Sequence, residues 1–296
     1  MRIVVTGKTG QVATALAERA AEHGVTLITV GRPEFDLVDP QKGLDAIAAA
    51  KPDAIVSAAA YTAVDKAESD AKTAEAANAK GPEALAKLAA SLAVPIVHLS
   101  TDYVFDGAKP TAYVEEDNTN PLGVYGQSKL AGERAVAAAT RNHAILRTAW
   151  VYSPFGANFL KTMLRVGAEV AELRVVADQI GNPTSALDIA DAVLTVTRNL
   201  RDWPNDEELR GVFHMTGSGE ASWADFAEGI FAVSGSLGGP SATVARITTV
   251  EYPTPAKRPA NSRLSCDKLN RLHHVTMPDW QSSTHTTIAR LLSPRA

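Results

Sequence analysis

The chain has 296 residues with 29 basic and 33 acidic side chains, a formal net charge of −4, 45 % hydrophobic content and one cysteine, Cys266. At ~150 residues per domain this suits one large or two modest domains with ample core, and it excludes intrinsic disorder, which needs low hydrophobicity and high net charge. No Lys/Arg run offers a basic surface to nucleic acid, and no apolar run approaches the ~20 residues of a membrane span. The N-terminus, Met1-Arg2-Ile3-Val4-Val5-Thr6-Gly7, is too short in apolar residues for a signal peptide, and a lone cysteine forms no internal disulfide, so a soluble cytoplasmic protein is expected.

Residues 2–6 are apolar, β-branched and bounded by Gly7, the pattern of a buried strand. A helix is predicted over 11–23, a strand over 25–30, a helix over 44–50 and a strand over 54–58. Helices follow over 64–77 and 82–92, with Pro82 in a first turn, then a strand over 95–100, a helix over 126–139 and a strand over 144–148. Strands alternating with helices of this length indicate βαβ units and a parallel sheet. Apolar strand interiors such as Ile55-Val56 and Ile96-Val97 predict helices on both faces, an α/β doubly wound fold. The second half is less regular: helices over 158–168 and 187–199, strands over 173–176 and 212–215. Pro, Gly and Ser then gather at 234–241, and Pro253, Pro255 and Pro259 follow, predicting a smaller, irregular C-terminal lobe or long surface loops.

Gly7-Lys8-Thr9-Gly10-Gln11-Val12-Ala13 joins the first strand to the first helix. Gly7 permits the tight turn, Gly10 lets backbone approach a phosphate, and Ala13 is small enough for close helix–strand packing. The N–H groups at that helix start, on Gln11 and Val12, suit a pyrophosphate. The Gly-Lys-Thr triplet is not a triphosphate loop, because Arg2 stands where its first glycine is required. An NAD site usually carries an acid at the end of the second strand. Here that strand ends Thr29-Val30-Gly31-Arg32, and Arg32 suits a 2′-phosphate instead. NADPH is therefore the favoured cofactor, with NADH as the alternative.

Tyr125 and Lys129 open a helix one turn apart and share a face. An ammonium beside a phenol favours phenolate, which predicts a lowered Tyr125 pKa and a general acid/base. Ser100-Thr101-Asp102 ends the fourth strand, and the carboxyl ends of parallel strands carry the ligand crevice. Together they suggest hydride transfer between a carbonyl and an alcohol. Tyr125 would exchange the proton, Thr101 would hydrogen-bond the substrate oxygen, and Lys129 would tune Tyr125 and hold the nicotinamide ribose.

The glycine turn with Thr101 and Tyr125-x-x-x-Lys129 resembles the extended short-chain dehydrogenase/reductase superfamily. Longer stretches narrow this: Ala58-Ala59-Ala60-Tyr61-Thr62-Ala63-Val64-Asp65-Lys66-Ala67-Glu68, Ser100-Thr101-Asp102-Tyr103-Val104-Phe105-Asp106-Gly107 and Tyr125-Gly126-Gln127-Ser128-Lys129-Leu130-Ala131-Gly132-Glu133. With Arg147-Thr148-Ala149-Trp150-Val151-Tyr152, Asp178-Gln179-Ile180-Gly181-Asn182-Pro183-Thr184, Arg258-Pro259-Ala260-Asn261-Ser262-Arg263-Leu264 and Pro278-Asp279-Trp280, nearly the whole chain is similar to the dTDP-4-dehydrorhamnose reductase family.

The resemblance implies NAD(P)H-dependent reduction of the C4 ketone of dTDP-4-dehydro-β-L-rhamnose, with catalysis by Thr101, Tyr125 and Lys129. It places Gly10, Gln11 and Val12 at the pyrophosphate, Asp36 and Leu37 beside the adenine, Ala60, Tyr61 and Thr62 on the nicotinamide side, and Asp102 and Trp150 on the sugar nucleotide. Arg258, from the densest basic cluster, suits the diphosphate. The implied fold is a Rossmann-type domain over 1–150 with a return at about 177–215, and a sugar-nucleotide lobe over 151–176 and 216–296. Some family members bind magnesium between subunits through a glutamate in the first helix. Ala13-Thr14-Ala15-Leu16 supplies no acid, so no metal is expected and the chain is read as a monomer or homodimer. The family's usual Asn before the triple alanine is Ser57 here. The rival readings are a nucleotide-sugar epimerase or dehydratase of the same superfamily, for which Asp102 beside Thr101 speaks, and a non-catalytic regulatory subunit, against which the Thr101–Tyr125–Lys129 set speaks.

Overall fold

Successive residues of each early strand face opposite layers of helices, and this fixes the architecture. The computed structural model describes residues 1–293. In chain order the elements are β1 (Arg2–Thr6), α1 (Gln11–Arg19), β2 (Thr26–Val30), α2 (Leu44–Ala49), β3 (Ala54–Ser57), α3 (Val64–Ala67), α4 (Ala71–Glu75), α5 (Gly81–Ser91), β4 (Ile96–Thr101), α6 (Val124–Ala139), β5 (His143–Thr148), β6 (Val151–Tyr152), α7 (Phe159–Gly167), β7 (Glu172–Val176), β8 (Ile180–Gly181), β9 (Thr184–Ser185), α8 (Ala186–Asp202), β10 (Gly211–His214), β11 (Ala221–Ser222), α9 (Trp223–Ser236), β12 (Thr243–Ile247), α10 (Asp267–His273) and α11 (Trp280–Leu292). Six strands form one sheet in the order β10-β5-β4-β3-β1-β2, every neighbouring pair parallel.

Ile3 and Val5 point into a cluster with Leu16 of α1 and Ile189, Val193 and Val196 of α8. Val4, Ile55, Ile96 and Ile145 point the other way, onto Leu85 of α5 and Val136 of α6. A sheet buried on both faces needs apolar residues at consecutive positions, which is why these strands are unbroken apolar runs. The predicted doubly wound parallel sheet is the observed one.

The stretch 64–77 differs from the single helix that its composition predicts. It divides into α3 and α4, and a π-helical turn over Ala76–Lys80 then runs into α5. Asp70, at φ −131°, breaks the first boundary. The π turn holds Asn78, which is fully buried and satisfies its amide by bonding Tyr61 and Ser128. Helix α6 crosses this turn so closely that a Cβ on Gly132 would lie 2.0 Å from the Asn78 carbonyl oxygen. Gly132→Ala therefore forces the two elements apart, and a loss of about 2–3 kcal/mol is expected, read as a lower urea midpoint at unchanged m-value.

The C-terminal part is more regular than its Pro, Gly and Ser content predicts. It contains α9, α10, α11 and the parallel pair β7–β12. Ser222 and Asp225 form a capping box at the start of α9, and Asp279 caps α11. Tyr152, Leu160, Phe226, Ile230, Trp280 and Ile288 build a core of their own there. Leu269, Val275 and Met277, although late in the chain, pack with the sheet.

Candidate active site

The end of β1 turns sharply at Gly7, whose φ of +105° disfavours any side chain and whose N–H donates to the Val30 carbonyl at 2.7 Å. A Cβ there would touch Ala13 at 3.4 Å, so small residues at both positions set the spacing of α1 from the sheet. Gly10 precedes α1 in extended conformation, and no side chain caps the helix. The first-turn N–H groups therefore have no partner within the helix, an arrangement that fits a pyrophosphate. The Gln11 side chain is committed elsewhere: its Oε1 accepts from Ser153 Oγ at 2.7 Å and Asn158 Nδ2 at 2.9 Å, tying the turn to the second half of the chain.

Arg32 is exposed just beyond β2 and makes no ion pair among the described residues, whereas its neighbour Lys8 pairs with Glu34. Asp36 accepts from the Val38 N–H at 3.0 Å. The Leu37 side chain is buried against Gly81, so what it offers a ligand is main chain. The loop holding Ala60, Tyr61 and Thr62 is fixed from two sides. Thr6 Oγ1 accepts from the N–H groups of Ala58 and Ala59, both at 3.1 Å, and Asn78 holds Tyr61 by its N–H at 2.8 Å and its carbonyl at 3.0 Å. Asn78 was missed in the sequence; a lone amide inside the alanine-rich run 74–79 is the signal that marks it.

Thr101 and Asp102 lie at the carboxyl end of β4, and Tyr125 lies in the first turn of α6. Thr101 Oγ1 donates to Asp102 Oδ1 at 3.0 Å and accepts from the Tyr103 N–H at 3.2 Å. Asp102 is buried, and its Oδ2 has no partner. Burial pushes its carboxyl up to about 6, against the pull of the Ser262 and Thr101 hydroxyls. The spacing of Tyr125 and Lys129 predicts a lowered phenol pKa, and the structure corrects this. Burial first, and the Asp102 charge second, push the Tyr125 phenol well above its usual value, with the Thr101 hydroxyl opposing them. The Lys129 ammonium is itself buried, at 2 % exposure, and donates to the Leu99 carbonyl at 2.6 Å. Desolvation lowers it to about 8, and Glu133 on the same helix works in the opposite direction.

Glu133 is a second residue that the sequence reading missed. Its carboxylate is buried under the site, accepting from Ser100 Oγ and in bidentate fashion from Arg147 at 2.9 and 2.7 Å. This pair clamps α6 to β4 and β5 and so fixes the height of Tyr125 and Lys129 over the sheet. Only tertiary pairing reveals it.

Trp150, at φ +49°, stacks on Trp223 with ring centroids 3.6 Å apart and 8° between planes, so one face of its indole is already taken. Arg258 donates to Asp65 Oδ2 at 2.7 Å and to Tyr103 Oη at 2.8 Å, beside the reaction centre. Arg263 is held inside the fold by Glu220, Pro110 and Asn261. The structure thus gathers Thr101, Asp102, Tyr103, Tyr125 and Arg258 in one cluster, with the glycine turn at the same end of the sheet. No group of three or more His, Cys, Asp or Glu able to hold a metal occurs among the described residues.

Comparison with known proteins finds relatives along the whole chain. Residues 1–293 match the family described as the RmlD substrate binding domain. A dTDP-4-dehydrorhamnose reductase of Sinorhizobium fredii is 55 % identical over 292 residues, covering 99 % of this chain and 98 % of that relative. The crystal structure of a dTDP-4-dehydrorhamnose reductase from Clostridium acetobutylicum superposes with a TM-score of 0.91 at 37 % identity, covering 99 % of this chain and 100 % of that one. A dTDP-4-dehydrorhamnose reductase from Bacillus anthracis, solved in complex with NADP, gives 0.90 at 31 % identity, covering 98 % and 99 %.

Proposed function

The chain belongs to the RmlD substrate binding domain family, and from that membership and the site we propose that it reduces the C4 ketone of dTDP-4-dehydro-β-L-rhamnose to dTDP-L-rhamnose with NADPH. The observation that carries this reading is the buried Thr101–Asp102 pair at the carboxyl end of β4 beside the half-buried Tyr125, which lies one helical turn from Lys129 and at the same end of the sheet as the glycine turn.

The turn at Gly7 and Gly10 and the N–H groups of Gln11 and Val12 would hold the pyrophosphate, and Arg32 the 2′-phosphate that distinguishes NADPH from NADH. Asp36 and the Leu37 main chain would border the adenine, and Ala60, Tyr61 and Thr62 the nicotinamide. When bound, the reduced nicotinamide supplies the hydrogen and electron pair that the carbonyl carbon takes up. Tyr125 gives its phenolic proton to the carbonyl oxygen, and the Thr101 hydroxyl, turning from Asp102, donates to that oxygen. A raised phenol suits reduction: the group stays protonated at neutral pH, and an alkoxide is a stronger base than even this phenolate. Lys129 holds the ribose and, as ammonium, stabilises the phenolate that remains. Asp102, Trp150 and Arg258 would bind the sugar nucleotide, with residues 1–150 and the return at about 177–215 forming the dinucleotide domain and 151–176 and 216–296 the sugar-nucleotide lobe. A cytoplasmic monomer or homodimer is the matching setting.

Incubation with dTDP-4-dehydrorhamnose should consume one NADPH per dTDP-rhamnose formed. An epimerase or dehydratase on this fold recycles its cofactor, so product without net NADPH oxidation would overturn the reading. Equal turnover of NADPH and NADH at subsaturating concentrations would remove the role given to Arg32. Arg258→Ala should raise KM for the sugar nucleotide about tenfold, the worth of one charge-assisted hydrogen bond, and leave KM for NADPH unchanged; an unchanged sugar-nucleotide KM would end the diphosphate assignment.

A further inference from the structure

Asp65 lies in α3, just past the loop that carries Ala60, Tyr61 and Thr62. Its two oxygens reach across to the distant segment 256–258: Oδ1 accepts from the Ala256 N–H at 3.2 Å and Oδ2 from Arg258 Nη2 at 2.7 Å. The other end of that guanidinium donates to Tyr103 Oη at 2.8 Å and sits 6.0 Å from the Tyr103 ring centroid. Tyr103 in turn meets Tyr125 edge to face, with centroids 5.5 Å apart and 79° between planes. The contact is tight on the backbone side as well, since a Cβ on Gly126 would lie 2.2 Å from the Tyr103 carbonyl oxygen.

These contacts form an unbroken chain from Asp65 to the proton donor. We propose that Asp65 is a positioning residue for Tyr125, acting through Arg258 and Tyr103, a role that rests on the reductase reading above. Arg258 on its own is a long, mobile side chain; the Asp65 carboxylate and its second bond to Ala256 give it one orientation. That orientation fixes the Tyr103 hydroxyl, and the Tyr103 ring then limits where the Tyr125 phenol stands. Displacing a catalytic group by ~1 Å is enough to cost up to ~10²-fold in rate, so a partial loosening at this remove should be felt in kcat. The dinucleotide contacts assigned above do not involve Asp65.

Asp65→Ala should lower kcat about tenfold, and Asp65→Asn, which keeps an acceptor for Ala256, should lower it less. Tyr103→Phe keeps the ring and removes the handle that Arg258 grips, so it should give a loss similar to Asp65→Ala. The double variant should be no slower than the slower single variant, because both changes cut the same chain. NADPH affinity, read by fluorescence titration, should be unchanged throughout. Losses that multiply in the double variant would overturn the relay. A readout independent of turnover is the NMR signal of the ring Cζ carbons: the six tyrosines give few peaks, and Asp65→Ala should shift those of Tyr103 and Tyr125. An unmoved Tyr125 signal would overturn the positioning role. Failure of the wild-type protein to reduce dTDP-4-dehydrorhamnose would instead strike the functional reading, and the tyrosine signals would still decide the relay.

Discussion

Tyr125→Phe is expected to lower kcat by ~10²–10⁴-fold, the usual contribution of a positioned general acid, with KM for both substrates changed much less. The substitution removes one oxygen and keeps the ring, so the edge contact with Tyr103 and the packing of the first turn of α6 persist. Nothing nearby replaces the proton. The Thr101 hydroxyl is an aliphatic alcohol, a far weaker acid than a phenol, Lys129 donates to the Leu99 carbonyl, and Tyr103 Oη is held by Arg258. Folding is not threatened, because the lost hydroxyl sits where burial works against its ionisation and the phenyl ring fills the same space. The measurement is steady-state reduction with saturating NADPH, beside a thermal melt of both proteins. A variant that keeps the full wild-type rate would end the proton-transfer role and return the site to binding alone.

Much of the fold was legible in the sequence because burial on both faces leaves a mark there. Ile3 to Val5, Ile55-Val56 and Ile96-Val97 are consecutive apolar residues, and only a strand covered on both sides requires that pattern. The glycine turn was legible for a similar local reason, since Gly7 is needed by its own backbone angle. The helices α9 and α11 were lost among glycines and prolines although their caps, Ser222 with Asp225 and Asp279, stand in the sequence. The breaks within 64–80 followed from Asp70 and from the demand of Asn78 for buried partners, and neither alters the local helical composition. In the site, the residue types were readable but their protonation was not. The Tyr125-x-x-x-Lys129 spacing shows that two groups share a face. It does not show that both are desolvated, which raises the phenol and lowers the ammonium. Glu133–Arg147 and Asp65–Arg258 join residues far apart in the chain, so only the folded structure reveals them.

Asp102→Asn tests the electrostatics of the site through stability rather than rate. The Asp102 carboxyl has an ordinary value of 3.8 and is pushed up to about 6 by burial. A carboxyl raised in this way holds its proton more tightly in the folded chain than in the unfolded one. Ionising it therefore opposes folding: the penalty is absent below the unfolded value, grows as pH rises from about 4 to about 6, and is complete above that. A shift of about two pKa units corresponds to about 3 kcal/mol at pH 8. Asparagine carries no charge and escapes the penalty, and its Oδ1 still accepts from Thr101. Its amide replaces Oδ2, which has no partner, and an unpaired buried N–H there costs about 1–3 kcal/mol. That cost is the same at every pH, whereas the ionisation term is not. Unfolding by urea at pH 4 and pH 8 should therefore show the variant gaining about 2.5 kcal/mol on the wild type between the two, since part of the penalty is already present at pH 4. All other titrating groups are shared by both proteins and cancel in the difference. A difference that stays flat with pH would mean that Asp102 ionises as easily in the fold as outside it, and the buried carboxylate beside Tyr125 would then carry no electrostatic strain for the reaction to use.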